Sequence, residues 1–301
     1  MTLLKALLVS FLLVFNSITL AECQSQRVKV QVLGSGGPEL TDGRASSSYL
    51  VWLDGKGIVL VDAGAGSSLN YEKTGAKLND IETIVFSHFH VDHSADFSAY
   101  IKGTYFTNRT QDIQLFGPES NHLMPSATEF THNFVGSKGV YPYLQDYVSA
   151  EKQSSYNVVA KNISLAKHKK QHVFQSKNYK LSAIPVHHGP LPSLAWRVDI
   201  AGCSIAFSGD MSNKFQTLAA LAKGSDILIA HNAIPESQQG VGRKLHMPPS
   251  EIGKIAKQAG VKKLILSHRM NRTLGREKET LAIIKKYYKG LVLFANDMDI
   301  F

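Results

Sequence analysis

The chain has 301 residues, 44% hydrophobic and 19% charged. That is the composition of one large globular domain or two small ones, and it excludes a disordered, collagenous or coiled-coil protein. Two cysteines are too few for a disulfide scaffold or a four-cysteine zinc site, and 33 Lys and Arg against 24 Asp and Glu leave a net charge of +9, which favours anionic partners without naming one.

Residues 1–21 read as an address. Lys5 precedes an apolar run from Ala6 to Phe15, and Ser17, Thr19 and Ala21 are small residues spaced like a signal-peptidase site, with cleavage expected after Ala21. The run is too short for a stable membrane span, and Glu22 before Cys23 argues against a lipid anchor. A periplasmic or secreted domain over 22–301 is therefore expected. Cys23 and Cys203 would then meet an oxidising compartment, where they either pair or stay free.

Along that domain, strands are predicted over Val28–Leu33, Ser48–Leu53, Ile58–Val61, Ile81–Ser87 and Ile113–Phe116. Asp54-Gly55-Lys56-Gly57 between the second and third is a hairpin signal. Further strands are predicted over Tyr179–Pro185, Ala195–Ile200, Ser204–Ser208, Ile227–Ala230, Leu264–Ser267 and Leu291–Phe294. Helical patterns cover Phe215–Lys223, Pro249–Ala259 and Lys278–Lys289. Many short strands with a few helices and no linker predict a single-domain α/β layered sandwich. Residues 119–178 are the least patterned and are expected to be an insertion over the site.

Chemistry-bearing residues fall at strand ends. His88, His90, Asp92 and His93 follow Ile81–Ser87 directly, and such a turn aims its side chains in two directions, which suits two adjacent metals better than one. Imidazole and carboxylate donors fit zinc, with manganese or iron as alternatives. His187-His188-Gly189, Asp210 and His268 each end another apolar run. A carboxylate such as Asp210 can bridge two cations, and a metal pair roughly 3.5–4 Å apart can hold a hydroxide nucleophile and stabilise a leaving oxygen.

Ser87-His88-Phe89-His90-Val91-Asp92-His93, Leu60-Val61-Asp62-Ala63-Gly64, Ser208-Gly209-Asp210 and Leu266-Ser267-His268 together resemble the metallo-β-lactamase fold superfamily. Gly34-Ser35-Gly36-Gly37-Pro38, Arg44 and Ser46-Ser47-Ser48 are similar to the opening loop of its ribonuclease Z and arylsulfatase-like branch. The resemblance implies a four-layer αβ/βα sandwich with two zinc ions. His88, His90 and His188 would hold one and Asp92, His93 and His268 the other, with Asp210 bridging and Asp92 also orienting the attacking water. His188 is preferred because it stands three residues after Pro185, as the branch's ligand does, and His187 is the rival. Asp62 is expected either to support the cluster loop or to be a plain turn residue.

His231 lies where the branch carries a His-Glu-Ala-Thr segment, and His246 resembles its later His before a helix; both are candidate catalytic residues. Asn232 replaces the Glu, and an amide cannot shuttle a proton. With no long Gly/Pro-rich arm and an export signal, transfer RNA is disfavoured as a partner. The expected function is hydrolysis of a phosphodiester or sulfate ester on a small anionic or ester substrate. The alternatives are a lactonase or β-lactamase acting on a cyclic acyl bond, and a non-catalytic metal-binding protein. A homodimer is left open.

Two features stay unassigned. Lys161–Lys180 holds six lysines and no acid, with His168 and His172, and reads as an anion-recruiting patch or as a solvated loop. Phe130, Phe134, Tyr141, Tyr143 and Tyr147 read either as a pocket wall or as core.

Overall fold

A computed structural model describes residues 23–149 and 154–301. The expected signal segment over 1–21 lies outside them. Among the described residues, β1 (Val28–Gly34), β2 (Ser48–Leu53), β3 (Lys56–Val61), β4 (Thr83–Val85), β5 (Ile113–Pro118) and β6 (Val158–Ile163) form one sheet in chain order. The second sheet runs from β7 (Gln171–Gln175) through β8 (Tyr179–Pro185), β9 (Leu194–Ile200), β10 (Cys203–Phe207), β11 (Ile227–His231) and β12 (Lys263–Ser267) to β13 (Leu291–Phe294). Each sheet joins an antiparallel half to a parallel half: β1–β3 and then β3–β6 in the first, β7–β10 and then β10–β13 in the second.

Strand alternation produces the layers. Successive side chains on a strand point to opposite faces, so a run buried on both faces feeds two cores. Val59 and Val61 enter the core between the sheets, while Leu60 enters the core under the first sheet's helices. Ile265 likewise enters the central core, and Leu264 and Leu266 face the second helical layer. That first layer holds α1 (Ser67–Lys73), α2 (Val91–Ser94), α3 (Phe97–Thr104) and α4 (Ala127–Val135). The second half of the chain supplies α5 (Leu218–Leu221), α6 (Val241–Leu245), α7 (Pro249–Ala259) and α8 (Glu277–Ile284). The result is the expected single-domain four-layer α/β sandwich.

Some expected elements change. The predicted Ile81–Ser87 strand shortens to Thr83–Val85; at its far end the Asp62 carboxylate, rather than a neighbouring strand, takes the Ser87 N–H. The helices predicted over Phe215–Lys223 and Lys278–Lys289 shorten to α5 and α8. Residues 119–178 are corrected most. They contain α4, β6 and β7, and the two strands close the outer edges of the two sheets rather than forming an insertion. Their sequences concealed this because edge strands expose part of each face. Phe130 and Tyr147 are buried core beneath the first sheet, with Phe134 packed against it, whereas Tyr143 is 63% exposed.

Cys23 and Cys203 form a disulfide that fastens the start of the described chain to the first residue of β10. Because β8, β10, β11 and β12 run parallel, their carboxyl ends share the opposite edge. The candidate ligands gather there, as ligand sites do in open α/β sheets. Among the described residues no helix is long and apolar enough to cross a membrane.

Candidate metal centre

The turn after β4 is fixed from beneath by Asp62. This residue ends β3 in a left-handed conformation, φ 57°. Its carboxylate accepts the Ser87 N–H at 2.7 Å, the Ser87 hydroxyl at 2.8 Å and the His93 Nδ1–H at 2.8 Å. Of the two readings open for Asp62, these bonds favour support of the cluster loop over a plain turn residue. With Nδ1–H committed to Asp62, His93 is held in the tautomer whose bare Nε2 faces the interior, where it has no partner. His88 repeats the arrangement, with Nδ1 3.1 Å from the Ser87 hydroxyl and a buried, unpartnered Nε2. His188 donates its Nδ1–H to the Leu245 carbonyl at 2.8 Å and turns Nε2 toward the cluster, 3.4 Å from His90 Nδ1.

The second sheet supplies the centre. Asp210 is fully internal. Its Oδ1 accepts from His231 Nδ1 at 2.8 Å and lies 3.4 Å from His268 Nε2. Its Oδ2 lies 3.7 Å from His93 Nε2, 3.8 Å from His188 Nε2 and 3.7 Å from His246 Nδ1. Asp92 Oδ2 is 3.1 Å from His268 Nε2 and 3.6 Å from His93 Nε2. His268 itself sits at φ 52°, and its ring is tolerated only because Gly37 has no side chain: a Cβ there would stand 2.8 Å from His268 Cε1. Burial raises the Asp210 carboxyl, but His268 and His246, together with His231 and His93, outweigh it and hold the group well below the carboxylate range. Burial, reinforced by the neighbouring imidazoles, holds His88 well below the usual histidine range.

Two sets of donor atoms follow, each within 4.8 Å of one another: His88, His90, His188 and Asp210, and His93, Asp210, His231 and His268. His231 is the odd member. Its Nδ1 is committed to Asp210 and its Nε2 lies 3.1 Å from the Tyr49 hydroxyl, which also lies 2.9 Å from the Ser267 hydroxyl. With both nitrogens engaged, it offers a metal less than Asp92 does, whose Oδ2 faces the same His93 and His268. Unpartnered, almost fully buried nitrogens on His88 and His93 are costly unless something fills the space between them, and divalent cations are what a set of imidazoles around shared carboxylates fits.

The other expected residues separate cleanly. His187 points away from its neighbour, bonding Ser212 through Nδ1 at 2.7 Å, so it is His188 that joins the cluster. His246 is 8% exposed, and its Nδ1 has no hydrogen-bond partner. Burial pushes it down to about 3, leaving a neutral ring. Asn232 is buried and its amide donates to the Ile234 carbonyl at 3.4 Å, within its own loop. Arg272 donates Nε–H to the Ala233 carbonyl at 2.6 Å. Sequence reasoning missed Tyr49 and the Leu245 carbonyl, which orient His231 and His188; a tyrosine inside an apolar strand and a backbone oxygen carry no sequence signal.

A two-sheet sandwich with histidines and aspartates converging on the carboxyl ends of its strands defines a candidate metal centre. A family profile described as a beta-lactamase superfamily domain matches residues 58–269. The chain belongs to the metallo-β-lactamase superfamily. It is 22% identical over 301 residues to a ribonuclease Z of Methanosarcina acetivorans, covering 91% of this chain and 97% of the relative. To a ribonuclease Z of Mycobacterium sp. (strain KMS) it is 27% identical over 252 residues, covering 80% and 84%. Among solved structures, the metallo-beta-lactamase fold protein YhfI from Bacillus subtilis aligns with a TM-score of 0.70 at 19% identity, covering 91% of this chain and 99% of that one. The short form of human tRNase Z aligns with a TM-score of 0.68 at 18% identity, covering 91% and 98%.

Proposed function

We propose that the protein is an exported hydrolase with two zinc ions that cleaves a phosphodiester or sulfate ester. The observation that carries this reading is the convergence of imidazole nitrogens on both oxygens of Asp210, with the Nε2 atoms of His88 and His93 buried and unpartnered. His88, His90 and His188 would hold one ion and Asp92, His93 and His268 the other, with Asp210 shared. When bound, such a pair supplies Lewis acidity toward an ester oxygen and toward water.

The protein's own residues do the rest. Asp92, whose burial is outweighed by His93 and His268 so that its carboxyl falls to about 2, is a carboxylate at working pH placed to orient the attacking water. His246, buried beside Asp210 with its Nδ1 unpartnered, would donate to the substrate oxygen that gains charge. His231 acts through Asp210, holding the shared carboxylate in place from behind. Asn232 stands where the ribonuclease Z branch carries a Glu, and an amide cannot shuttle a proton, which supports an ester substrate other than transfer RNA. The Cys23–Cys203 disulfide supports export, since such bonds persist in oxidising compartments.

Two measurements test this reading. Elemental analysis should approach two zinc ions per chain after reconstitution, and a value near zero refutes the site. A panel of bis-aryl phosphate, aryl sulfate, homoserine lactone and cephalosporin should give turnover on the first two; turnover confined to the lactone or the cephalosporin refutes the substrate class.

A further inference from the structure

Behind the loop that presents His188 lies a cavity of about 240 Å³ that the hydrolytic centre does not use. Consecutive side chains divide there: His188 turns into the cluster, and His187 turns out against Ser212 and Phe215. The walls include Leu165, His168, His187, Pro190, Ser193 and Phe215, and no acidic residue lines them. His168, from the middle of the lysine-rich stretch, stacks on Phe215 with 3.7 Å between ring centres, and the His187 ring meets Phe215 edge-on at 5.2 Å. Ser193, one of the lining residues, is 1% exposed, and its hydroxyl is buried without a hydrogen-bond partner. A buried hydroxyl left unpaired costs free energy that a ligand acceptor can relieve. Lys167, Lys169 and Lys214 are exposed neighbours in sequence of His168 and Phe215, and Lys214 acts electrostatically on His187.

We propose that this cavity is a second ligand site, for a single aromatic ring carrying a phosphate- or sulfate-like anion. The prolines, Leu165 and the Phe215 face suit the ring, the Ser193 hydroxyl and the imidazoles supply hydrogen bonds, and the lysines match the charge. Its volume falls below the roughly 300–1,000 Å³ of sites for drug-sized ligands, so it takes one ring rather than an oligonucleotide. Occupancy also steadies residues 187–193 and, through them, His188. Lys167 and Lys169 thus serve a defined pocket, with His168 as their link to it.

Phenylphosphonate, which has no ester to hydrolyse, is the probe, and titration calorimetry on the metal-loaded protein is the readout. His168→Ala, at an exposed position, and Ser193→Ala, which removes only the hydroxyl, should each weaken its binding by about five- to tenfold, a loss of the order of one aromatic or hydrogen-bond contact. Metal content should not change in either variant. Methylphosphonate and benzyl alcohol should each bind at least about tenfold more weakly than the probe, because each lacks half of the recognised group. Unchanged binding in both variants would place the probe at the metal centre and overturn the proposal. Equal binding of methylphosphonate would overturn the aromatic half of the assignment, and equal binding of benzyl alcohol the anionic half. None of these readouts requires turnover, so failure here is separate from failure of the hydrolase reading.

Discussion

Between Ser87 and Ser94 the first sheet presents four candidate ligands inside six residues, whereas the second sheet contributes His188, Asp210 and His268 from loops spread over eighty. The first group is compact because Asp62 clamps one turn through Ser87 and His93. The second converges only because β8, β10 and β12 are parallel members of one sheet and end at the same edge. The two groups meet at Asp210, whose Oδ2 reaches His93 of the first sheet and His188 of the second. Local clamping fixes ring orientation, and topology fixes which rings meet. A defect in either should show a different signature.

Asp210→Ala breaks the junction and should have the largest effect: hydrolysis falls to background and bound metal decreases, while circular dichroism remains that of a folded chain. Full metal content in this variant would show that the two groups bind independently. Next comes His246→Ala, which leaves both groups intact; both metals should stay, with kcat lowered about 10²–10⁴-fold, the range for a positioned acid, base or hydrogen-bond donor. A smaller loss on p-nitrophenyl esters than on esters with poor leaving groups would assign proton donation, and equal losses would assign oxyanion stabilisation. Loss of metal would make His246 a ligand.

Asp62→Ala tests the clamp alone. Removing a carboxylate that orients a ligating histidine costs about 10–100-fold in metal affinity, read by competition with a chelator. The same variant should leave His188 and its Leu245 bond undisturbed, so its effect should be smaller than that of Asp210→Ala.

The opposite edge of the second sheet gives the control. Replacing Cys23 and Cys203 together by Ser should lower stability by about 2–4 kcal/mol in a denaturant titration, with activity per folded molecule unchanged because the disulfide joins the other end of β10. The smallest effect concerns Asp226 at that same edge. Its partial burial raises the carboxyl, but Lys262 and the Ser204 N–H outweigh this and hold it below its ordinary value. A depressed folded pKa contributes stability that is present above the unfolded value and is lost as pH falls through the folded one. Asp226→Asn should therefore cost a little stability at neutral pH and flatten the acid limb, so that the difference from the parent shrinks as pH falls below about 4.

The cluster after β4 was legible because metal ligands crowded into one turn have few other uses, and the strand patterns that delivered it follow from period-two burial. The outer strands β6 and β7 were not legible. An edge strand with part of each face in water lacks the apolar run by which an inner strand declares itself. His231 reads from the sequence as a candidate catalytic residue; its place behind Asp210 was not legible there, since it depends on Tyr49, 182 residues away, closing its second nitrogen.

The amino-acid sequence by itself determined the superfamily, the layered sandwich and the identity of the convergent histidines and aspartates, because these rest on residue types at fixed offsets within single turns and strands. Tertiary structure decided the rest. It separated His187 from His188, which adjacent positions in one loop cannot distinguish until Ser212 and the Leu245 carbonyl claim one ring each. It joined Cys23 to Cys203, and it brought His168 onto Phe215 to form the wall of a pocket. Each of these depends on groups far apart in the chain, and their meeting is set by strand order and direction rather than by local spacing.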